Sequence, residues 1–251
     1  MFINYQNKTI WVVGATDGIG KATVEMLAKS GVKHIILSSR SQEKLEELTN
    51  SLNVPTSTYA FDVADNDATK EQTKKLFAEI GKVDSVIYLP AYYQPAMVAD
   101  ASLDNIDKTI EINLKAVFYF IQATLPFLKS GELAQLAITA SVAGYIGLPS
   151  SQPYAASKAG VINLVESLKS ENVGLDIRLI NPSFVKTKLT AKNDFKMPAL
   201  MTVEFAAEQI LKGLNKKAFE IHFNKKFTII LKLIASLPYS LYFKIAKKLS
   251  K

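Results

Sequence analysis

The sequence contains no cysteine and only two histidines, His34 and His222. The lack of cysteine excludes disulfide bonds, thiolate zinc sites and a cysteine nucleophile. The two histidines are far apart in the sequence and each lies in an apolar segment, so we interpret both as structural. We therefore predict no metal site.

Long apolar runs, linkers and repeats are also missing. No apolar run reaches the roughly 20 residues that a membrane-spanning helix needs, and residues 1–8 lack the apolar core of a secretory signal. With 251 residues, 48% of them hydrophobic, the chain can bury one sizeable core. We expect a single cytoplasmic domain at residues 1–225, followed by a tail at 226–251 that is not a separate domain.

Acidic residues are nearly absent from the end of the chain. Residues 212–251 contain ten lysines and one acid, Glu220, so this stretch carries +9 and the rest of the chain −2, within a formal net charge of +7. Surfaces that bind nucleic acids combine arginine with aromatic side chains along a groove. Here the only basic residue type is lysine, beside long aliphatic residues. We predict no nucleic-acid partner.

Short apolar segments alternate with helix-length amphipathic segments along most of the chain. The predicted strands are residues 8–13, 35–37, 56–61, 83–89, 133–140, 175–180 and 218–223. The predicted helices are residues 18–30, 41–52, 65–80, 106–128, 152–169 and 203–214. Helix-length connections imply right-handed parallel crossovers. The sequence thus predicts an α/β fold, a single-domain Rossmann-type doubly wound parallel sheet with helices on both faces.

A glycine-rich segment joins the first predicted strand to the first helix. Gly14 permits a tight turn, Gly18 lets the backbone approach a pyrophosphate, and Gly20 lets helix and strand pack closely. The N–H groups and positive dipole of the helix start favour phosphate. A purely structural turn is the alternative. The predicted cofactor contacts in this loop are Gly14, Thr16, Asp17, Gly18, Ile19 and Gly20.

The second strand ends without an acidic residue, in Ser39, Arg40 and Ser41. An acid at this place binds the ribose 2′-hydroxyl of NAD, whereas a cation accepts the 2′-phosphate of NADP. Arg40 can make a forked, charge-assisted contact with phosphate, and Ser39 can add a hydroxyl. We predict NADP(H) as the cofactor in preference to NAD(H). An exposed arginine without a ligand is the alternative.

Tyr154 and Lys158 are four residues apart in a predicted helix and so share one face. A nearby ammonium group and a cationic nicotinamide ring favour the phenolate and lower the tyrosine pKa from about 10. Thirteen residues before Tyr154, a predicted strand ends at Ser141, whose hydroxyl can donate to a carbonyl oxygen. A tyrosine–lysine pair alone is usually a solvated helix face. Ser141 and the glycine loop favour catalysis.

Together, the Gly-x-x-x-Gly-x-Gly spacing, Ser141 and Tyr154-x-x-x-Lys158 resemble the short-chain dehydrogenase/reductase family over residues 8–187. The resemblance implies an NADP(H)-dependent oxidoreductase that transfers hydride between nicotinamide and a small-molecule carbonyl or alcohol. It implies that Ser141 orients the substrate oxygen and that Tyr154 is the general acid/base. Lys158, with Asn113 and a water, would resupply the proton. It also implies a homo-oligomer, a dimer or tetramer.

Further cofactor contacts follow from the resemblance alone. Asp62 and Val63 would lie at the adenine, although Asp62 is also placed to cap the helix that begins near Asp65. In the segment after the sixth strand, Ser183 replaces the family's usual glycine. The contacts implied there, at the nicotinamide and phosphates, are Pro182, Phe184, Val185 and Thr187.

The sequence departs from the family after the fourth strand, where Leu89-Pro90-Ala91 replaces the usual Asn-Ala-Gly. An asparagine that steadies the sheet is missing, and proline stiffens the turn. We still predict that Pro90 and Ala91 contact the cofactor. The departure motivates an alternative, a non-catalytic NADP-binding regulatory or scaffold protein.

Specificity is predicted to lie in residues 91–102 and in a substrate loop at 188–201. Large apolar and aromatic side chains there indicate a hydrophobic substrate, and ordinary packing of the loops is the alternative. The large side chains in and near these loops are Tyr92, Tyr93, Met97, Phe184, Phe195, Met197 and Leu200.

In the tail, Leu241, Ile245 and Leu249 form an apolar stripe bordered by lysines. This pattern is typical of a helix that lies on a membrane surface. For a cytoplasmic protein we expect that surface to be the inner face of the membrane. A helix packed on its own domain or on a second subunit is the alternative.

Overall fold

Seven strands form one sheet in the computed structural model, which describes residues 5–129, 134–194 and 197–249. The strands are β1 Thr9–Val13, β2 His34–Ser39, β3 Thr56–Ala60, β4 Ser85–Tyr88, β5 Gln135–Thr139, β6 Asp176–Asn181 and β7 Glu220–His222. Their order in the sheet is β3-β2-β1-β4-β5-β6-β7, and every neighbouring pair is parallel. This confirms the predicted doubly wound sheet, whose order reverses between β1 and β4.

Helices follow the strands and cover both faces of the sheet. They are α1 Gly18–Ala28, α2 Gln42–Asn50, α3 Asn66–Ile80, α4 Leu103–Ile110, α5 Ala116–Leu128, α6 Tyr154–Ser170, α7 Val203–Leu214, α8 Lys225–Ala235 and α9 Tyr239–Leu249. Ser41 caps α2 through the backbone N–H of Lys44, and Asp65 caps α3. Short polar side chains therefore start these helices where the sequence predicted.

Alternate residues of each strand face opposite layers of the core. Trp11 packs with Phe77 and Phe120 on the face covered by α3, α5 and α6. Val12 packs with Leu27 and other residues on the face covered by α1, α2 and α7. The side chains in both layers are almost fully buried, so burial stabilises each by roughly 1.5–3 kcal/mol.

The predicted long helix at 106–128 begins earlier and is interrupted. It starts at Leu103, and residues Glu111–Lys115 form a π-helical turn between α4 and α5. Such turns insert one residue into the helical repeat and redirect side chains. Helix α6 begins at Tyr154 rather than at Gln152. Of the predicted fifth strand, Leu133 lies outside the described residues.

The C-terminal helices α8 and α9 pack against the segment that follows β5. Ile234, Tyr242 and Ala246 form a cluster with Val142 and Ile146. The predicted stripe does not lie on one face of the packing, because Leu241 is exposed and Ile245 packs against this cluster, while the side chain of Leu249 lies outside the described atoms. The hydroxyl of Tyr242 donates to the carbonyl of Gly147 at 2.6 Å and fixes the rotation of the helix. Over the described residues, no helix is long and apolar enough to cross a membrane.

Candidate active site

A cavity of about 540 Å³ opens at the carboxyl ends of the strands, where the order of the sheet reverses. The predicted cofactor contacts all line it: Gly14, Thr16, Asp17, Gly18, Ile19, Gly20, Ser39, Arg40, Asp62, Val63, Pro90, Ala91, Tyr154, Lys158, Pro182, Phe184, Val185 and Thr187. Ser141 lines it as well, whereas Asn113 does not. The structure thus brings the predicted residues to one place, while their roles stay predictions.

The glycine loop has the geometry that a phosphate-binding turn requires. Gly14 has a φ of 81°, in the left-handed region, and a Cβ on Gly20 would overlap the carbonyl oxygen of Gly14. Asp17 caps α1 by accepting from the N–H of Gly18 at 2.8 Å. A hydrogen bond from Lys188 lowers the pKa of Asp17. Further N–H groups of the first turn of α1 face the cavity with the positive end of the dipole.

Two cations stand at the end of β2, where the sequence predicted one. Arg40 and Lys44 both line the cavity, beside the hydroxyl-bearing residues Ser39 and Ser41. Arg40 is exposed. Lys44 was not predicted as a contact; its place in the first turn of the helix that follows Arg40 is the signal that the sequence contains. This end of the cavity is positively charged and suits a phosphate group.

At the edge of the cavity, Asp62 follows β3 and accepts from the N–H of Ala64 at 3.0 Å. Asp65, not Asp62, caps α3, since its carboxylate accepts from the N–H groups of Asp67 and Ala68. The proposed alternative for Asp62, a helix cap, is therefore wrong. One carboxylate oxygen of Asp62 is thus used by the N–H of Ala64, and the side chain borders the cavity together with Val63.

Tyr154, Lys158 and Ser141 meet at the centre of the cavity. The Lys158 Nζ lies 5.7 Å from the Tyr154 ring centroid and donates to the carbonyl oxygen of Thr139 at 3.0 Å. Ser141 hydrogen-bonds Tyr154 and caps the turn after β5 by accepting from the N–H of Ala143. The strand end thus holds the serine against the first turn of α6.

The protonation of this pair differs from the expectation of a lowered tyrosine pKa. Burial raises the pKa of Tyr154 to about 12, against a smaller opposing effect of the hydrogen bond with Ser141. Burial also lowers the pKa of Lys158 to about 7. Desolvation is the main cause of both shifts, since Lys158 is fully buried and Tyr154 is mostly buried, and the Lys158 amine donates to Thr139. Burial therefore keeps the Tyr154 hydroxyl protonated near neutral pH.

Asn113 lies in the π-helical turn and is fully buried. Its amide accepts from the N–H of Tyr92 at 2.7 Å, donates to the carbonyl of Tyr92 at 2.8 Å, and donates to the Ser157 hydroxyl at 3.2 Å. This clamp fixes the backbone just after Leu89-Pro90-Ala91. The loop is thus held to the helix although the family's asparagine is missing there.

Pro90 packs closely on the glycine loop, since a Cβ on Gly14 would lie 3.1 Å from the Pro90 nitrogen. On the opposite wall, a Cβ on Gly18 would lie 3.3 Å from a methyl of Thr187. Two polar atoms in this lining, the hydroxyls of Thr139 and Ser183, are buried and have no hydrogen-bond partner among the described residues. Buried polar atoms are normally satisfied. The lining therefore fits a polar ligand such as a dinucleotide.

The other end of the cavity is apolar. Tyr93 packs edge-on against Tyr154 with ring centroids 4.8 Å apart, and its hydroxyl donates to Asn193 at 2.6 Å. Of the large side chains predicted for substrate contact, Tyr92, Tyr93 and Phe184 line the cavity. Met97, Met197 and Leu200 do not line it, and Phe195 lies outside the described residues.

Helix α8 supplies a wall of the cavity that the sequence did not predict. Phe227 and Leu231 line it from the tail, and the Phe227 ring lies 5.9 Å from that of Phe184. Leu148, from the loop before α6, completes this wall. No local pattern in the sequence indicates which distant loop a C-terminal helix will cover.

A scan of protein families matches the short chain dehydrogenase model over residues 8–197. A 3-oxoacyl-(acyl-carrier-protein) reductase of Thermotoga maritima is 31% identical over 192 residues, 74% of this chain and 78% of that protein. An uncharacterized oxidoreductase of Myxococcus xanthus is 29% identical over 247 residues, 96% of this chain and 97% of that protein. A Burkholderia cenocepacia short chain dehydrogenase, solved in complex with NADP, superposes with a TM-score of 0.84 at 18% identity, over 96% of this chain and 98% of that one.

Proposed function

The chain belongs to the short-chain dehydrogenase family, and we propose that it is an NADP(H)-dependent oxidoreductase acting on a small-molecule carbonyl or alcohol. The observation that carries the proposal is that Ser141, Tyr154 and Lys158 meet in one cavity between a cationic end and an apolar end. When bound, NADPH supplies the hydride for carbonyl reduction. The protein's own residues supply binding, orientation and the proton.

We assign the proton to the Tyr154 hydroxyl. Its pKa of about 12 keeps the hydroxyl protonated near neutral pH, so it can donate to the oxygen of a carbonyl that is being reduced. Ser141, hydrogen-bonded to the same hydroxyl, orients that oxygen. In the oxidation direction the tyrosine would have to lose its proton first, which a nearby positive charge favours.

Lys158 and Asn113 support the tyrosine in this proposal. The pKa of Lys158, about 7, lets the buried amine exchange a proton near neutral pH and pass it toward Tyr154. Asn113 lies one helix away and holds the Tyr92 backbone and Ser157. We propose that it keeps the proton path from Lys158 to solvent in place, as a positioning residue.

Three features support NADP(H) over NAD(H). No acid lies between β2 and α2, and Arg40 and Lys44 place two cations there beside Ser39 and Ser41. The Burkholderia relative in fold was solved with NADP. A 2′-phosphate would therefore find charge-assisted donors where NAD would present only a hydroxyl.

The apolar end of the cavity favours a hydrophobic carbonyl or alcohol. Its walls are aromatic and aliphatic, from Tyr92, Tyr93, Phe184, Phe227 and Leu231. The regulatory alternative is not favoured, because the Asn113 clamp holds the loop after Leu89-Pro90-Ala91 in place. We further propose a cytoplasmic homo-oligomer paired through α4 and α5, where Phe118 and Leu103 are exposed.

A titration of NADPH and NADH against wild type, Arg40→Ala, Lys44→Ala and Lys70→Ala tests the cofactor assignment. Loss of one charge-assisted contact should weaken NADPH binding about 10- to 100-fold in the first two variants and leave NADH binding nearly unchanged. Lys70, exposed on α3 and away from the cavity, is the matched control. Equal weakening for both cofactors would contradict the NADP assignment.

A screen of hydrophobic ketones, aldehydes and alcohols then tests turnover. Tyr154→Phe should still bind NADPH, within about tenfold of wild type for the loss of one hydroxyl contact, and should lose at least about 100-fold in rate for lack of the proton donor. Tight NADPH binding with no turnover of any substrate class in wild type would favour the regulatory alternative.

A further inference from the structure

The outer face of α8 is apolar and exposed. Ile229, Ile230 and Leu233 are 49%, 54% and 62% exposed, well above the level of core residues. The inner face of the same helix is buried through Thr228, Leu231 and Ile234. At about 100° per residue these two sets fall on opposite sides of the helix. The exposed residues therefore do not take part in the packing that holds α8 to the domain.

Helix α9 presents large apolar side chains to solvent as well. Tyr239 and Phe243, 77% and 55% exposed, stack with ring centroids 5.8 Å apart, and Leu241 is 49% exposed. The helix is held to the domain by Tyr242 and Ala246 instead. Six large apolar residues are thus exposed within 15 residues of sequence: Ile229, Ile230, Leu233, Tyr239, Leu241 and Phe243, here named the C-terminal apolar surface.

The charged residues of α8 and α9 are all lysines. Residues 221–251 contain seven lysines and no acid. Lys226 and Lys244 are exposed on the same two helices, whereas Lys232 is neutralised by its ion pair with Glu220. A second copy of the chain would bring like charges together at this surface. An anionic surface would be attracted to it.

We propose that the C-terminal apolar surface docks on an anionic lipid bilayer. Exposed aliphatic and aromatic side chains bordered by lysines fit the boundary between head groups and acyl chains, where tyrosine and phenylalanine rings are partly buried and lysines reach the phosphates. The helices lie on the bilayer and do not cross it. This binding goes beyond the proposed oxidoreductase activity and does not depend on it.

Docking would place the cavity beside the bilayer. Phe227 and Leu231 line the cavity from the inner side of α8, while Ile230 and Leu233 point outward from the same helix. One helix therefore separates the proposed lipid surface from the apolar wall of the site.

Sedimentation of the full chain with vesicles tests the proposal. The vesicles are phosphatidylcholine alone, or phosphatidylcholine with one quarter phosphatidylglycerol, at low and at about 1 M salt. Wild type should bind the anionic vesicles and be released by salt. Failure of wild type to sediment with anionic vesicles at low salt overturns the proposal without any variant.

Two variants locate the contact. Ile230→Glu/Leu233→Glu should reduce the partition coefficient at least about tenfold, by removing inserted apolar area. Lys226→Glu/Lys244→Glu should reduce it at least about thirtyfold, at about a factor of five for each lysine near the lipid. Phe205→Glu, at a position of α7 that is 43% exposed and lies outside α8, α9 and the proposed α4–α5 interface, is the control and should bind nearly as wild type.

Unfolding temperature and NADPH affinity verify that each variant is folded. Equal loss in the control, or no loss in both C-terminal variants, overturns the proposal. It is also overturned if wild type is an oligomer in solution that Ile230→Glu/Leu233→Glu converts to monomers, because a second copy then covers the surface. Loss of vesicle binding with normal NADPH turnover separates this result from a failure of the proposed activity.

Discussion

Replacing Lys158 with methionine should stabilise the cofactor-free protein at neutral pH. The Lys158 side chain is 1% exposed, and burial lowers its pKa from 10.5 to about 7. A lysine with a lowered pKa binds fewer protons in the folded state than in the unfolded state. The loss of unfolding free energy that this burial causes is therefore largest below about pH 7 and disappears as the pH rises toward 10.5.

The magnitude follows from these two pKa values. At pH 7 the shift costs about 4 kcal/mol, and at pH 10 about 1 kcal/mol. Methionine has a similar length and no charge, but it loses the hydrogen bond to Thr139, which contributes about 1–2 kcal/mol. We expect Lys158→Met to raise the unfolding free energy by about 2–3 kcal/mol at pH 7, or about 5–10 °C in Tm.

Urea and thermal unfolding at pH 7 and pH 10, without cofactor, measure the effect. The advantage of the variant should shrink to nearly zero at pH 10, while its turnover is lost. Lys21→Met, on the exposed face of α1, is the control and should change stability by less than about 0.5 kcal/mol at both pH values. A variant that is less stable than wild type at pH 7, or whose gain in unfolding free energy does not change with pH, would refute the argument that burial lowers the pKa of Lys158.

Two other substitutions test the geometry around the site. Gly20→Ala should abolish NADPH binding and lower the unfolding free energy by more than about 3 kcal/mol, because its Cβ overlaps the Gly14 carbonyl. The control is Gly147→Ala, whose Cβ would meet only the Tyr242 hydroxyl at 3.6 Å and which should change the unfolding free energy by less than about 1 kcal/mol. A Gly20→Ala variant that folds and binds NADPH would contradict the close approach. Asn113→Ala leaves the buried backbone groups of Tyr92 without partners and should cost about 2–4 kcal/mol in urea unfolding. Stability within 0.5 kcal/mol of wild type would show that water replaces the clamp.

Much of the fold could be predicted because its signals are local. Strand and helix periods and the glycine loop depend on neighbours a few residues away. The predicted limits of α7, residues 203–214, are those observed. The π-helical turn around Asn113 could not be predicted, since it depends on the distant loop at Tyr92 that the asparagine holds.

The sequence also determined which side chains form the candidate site. Tyr154 and Lys158 share a helix face through their spacing, and Ser141 and Arg40 follow strands whose carboxyl ends meet at one edge of a parallel sheet. These relations depend on backbone geometry alone. Local geometry was therefore enough to place them together.

Only the tertiary structure decided the electrostatics and the far wall of the cavity. It buried Lys158 fully and Tyr154 for the most part, and this desolvation raises the tyrosine pKa, opposite to the predicted direction. It placed Phe227 and Leu231 of the tail beside the site and rotated α9 so that Tyr242, not Leu241, faces inward. Burial and docking depend on which distant segments meet in three dimensions, and no short sequence pattern specifies that meeting.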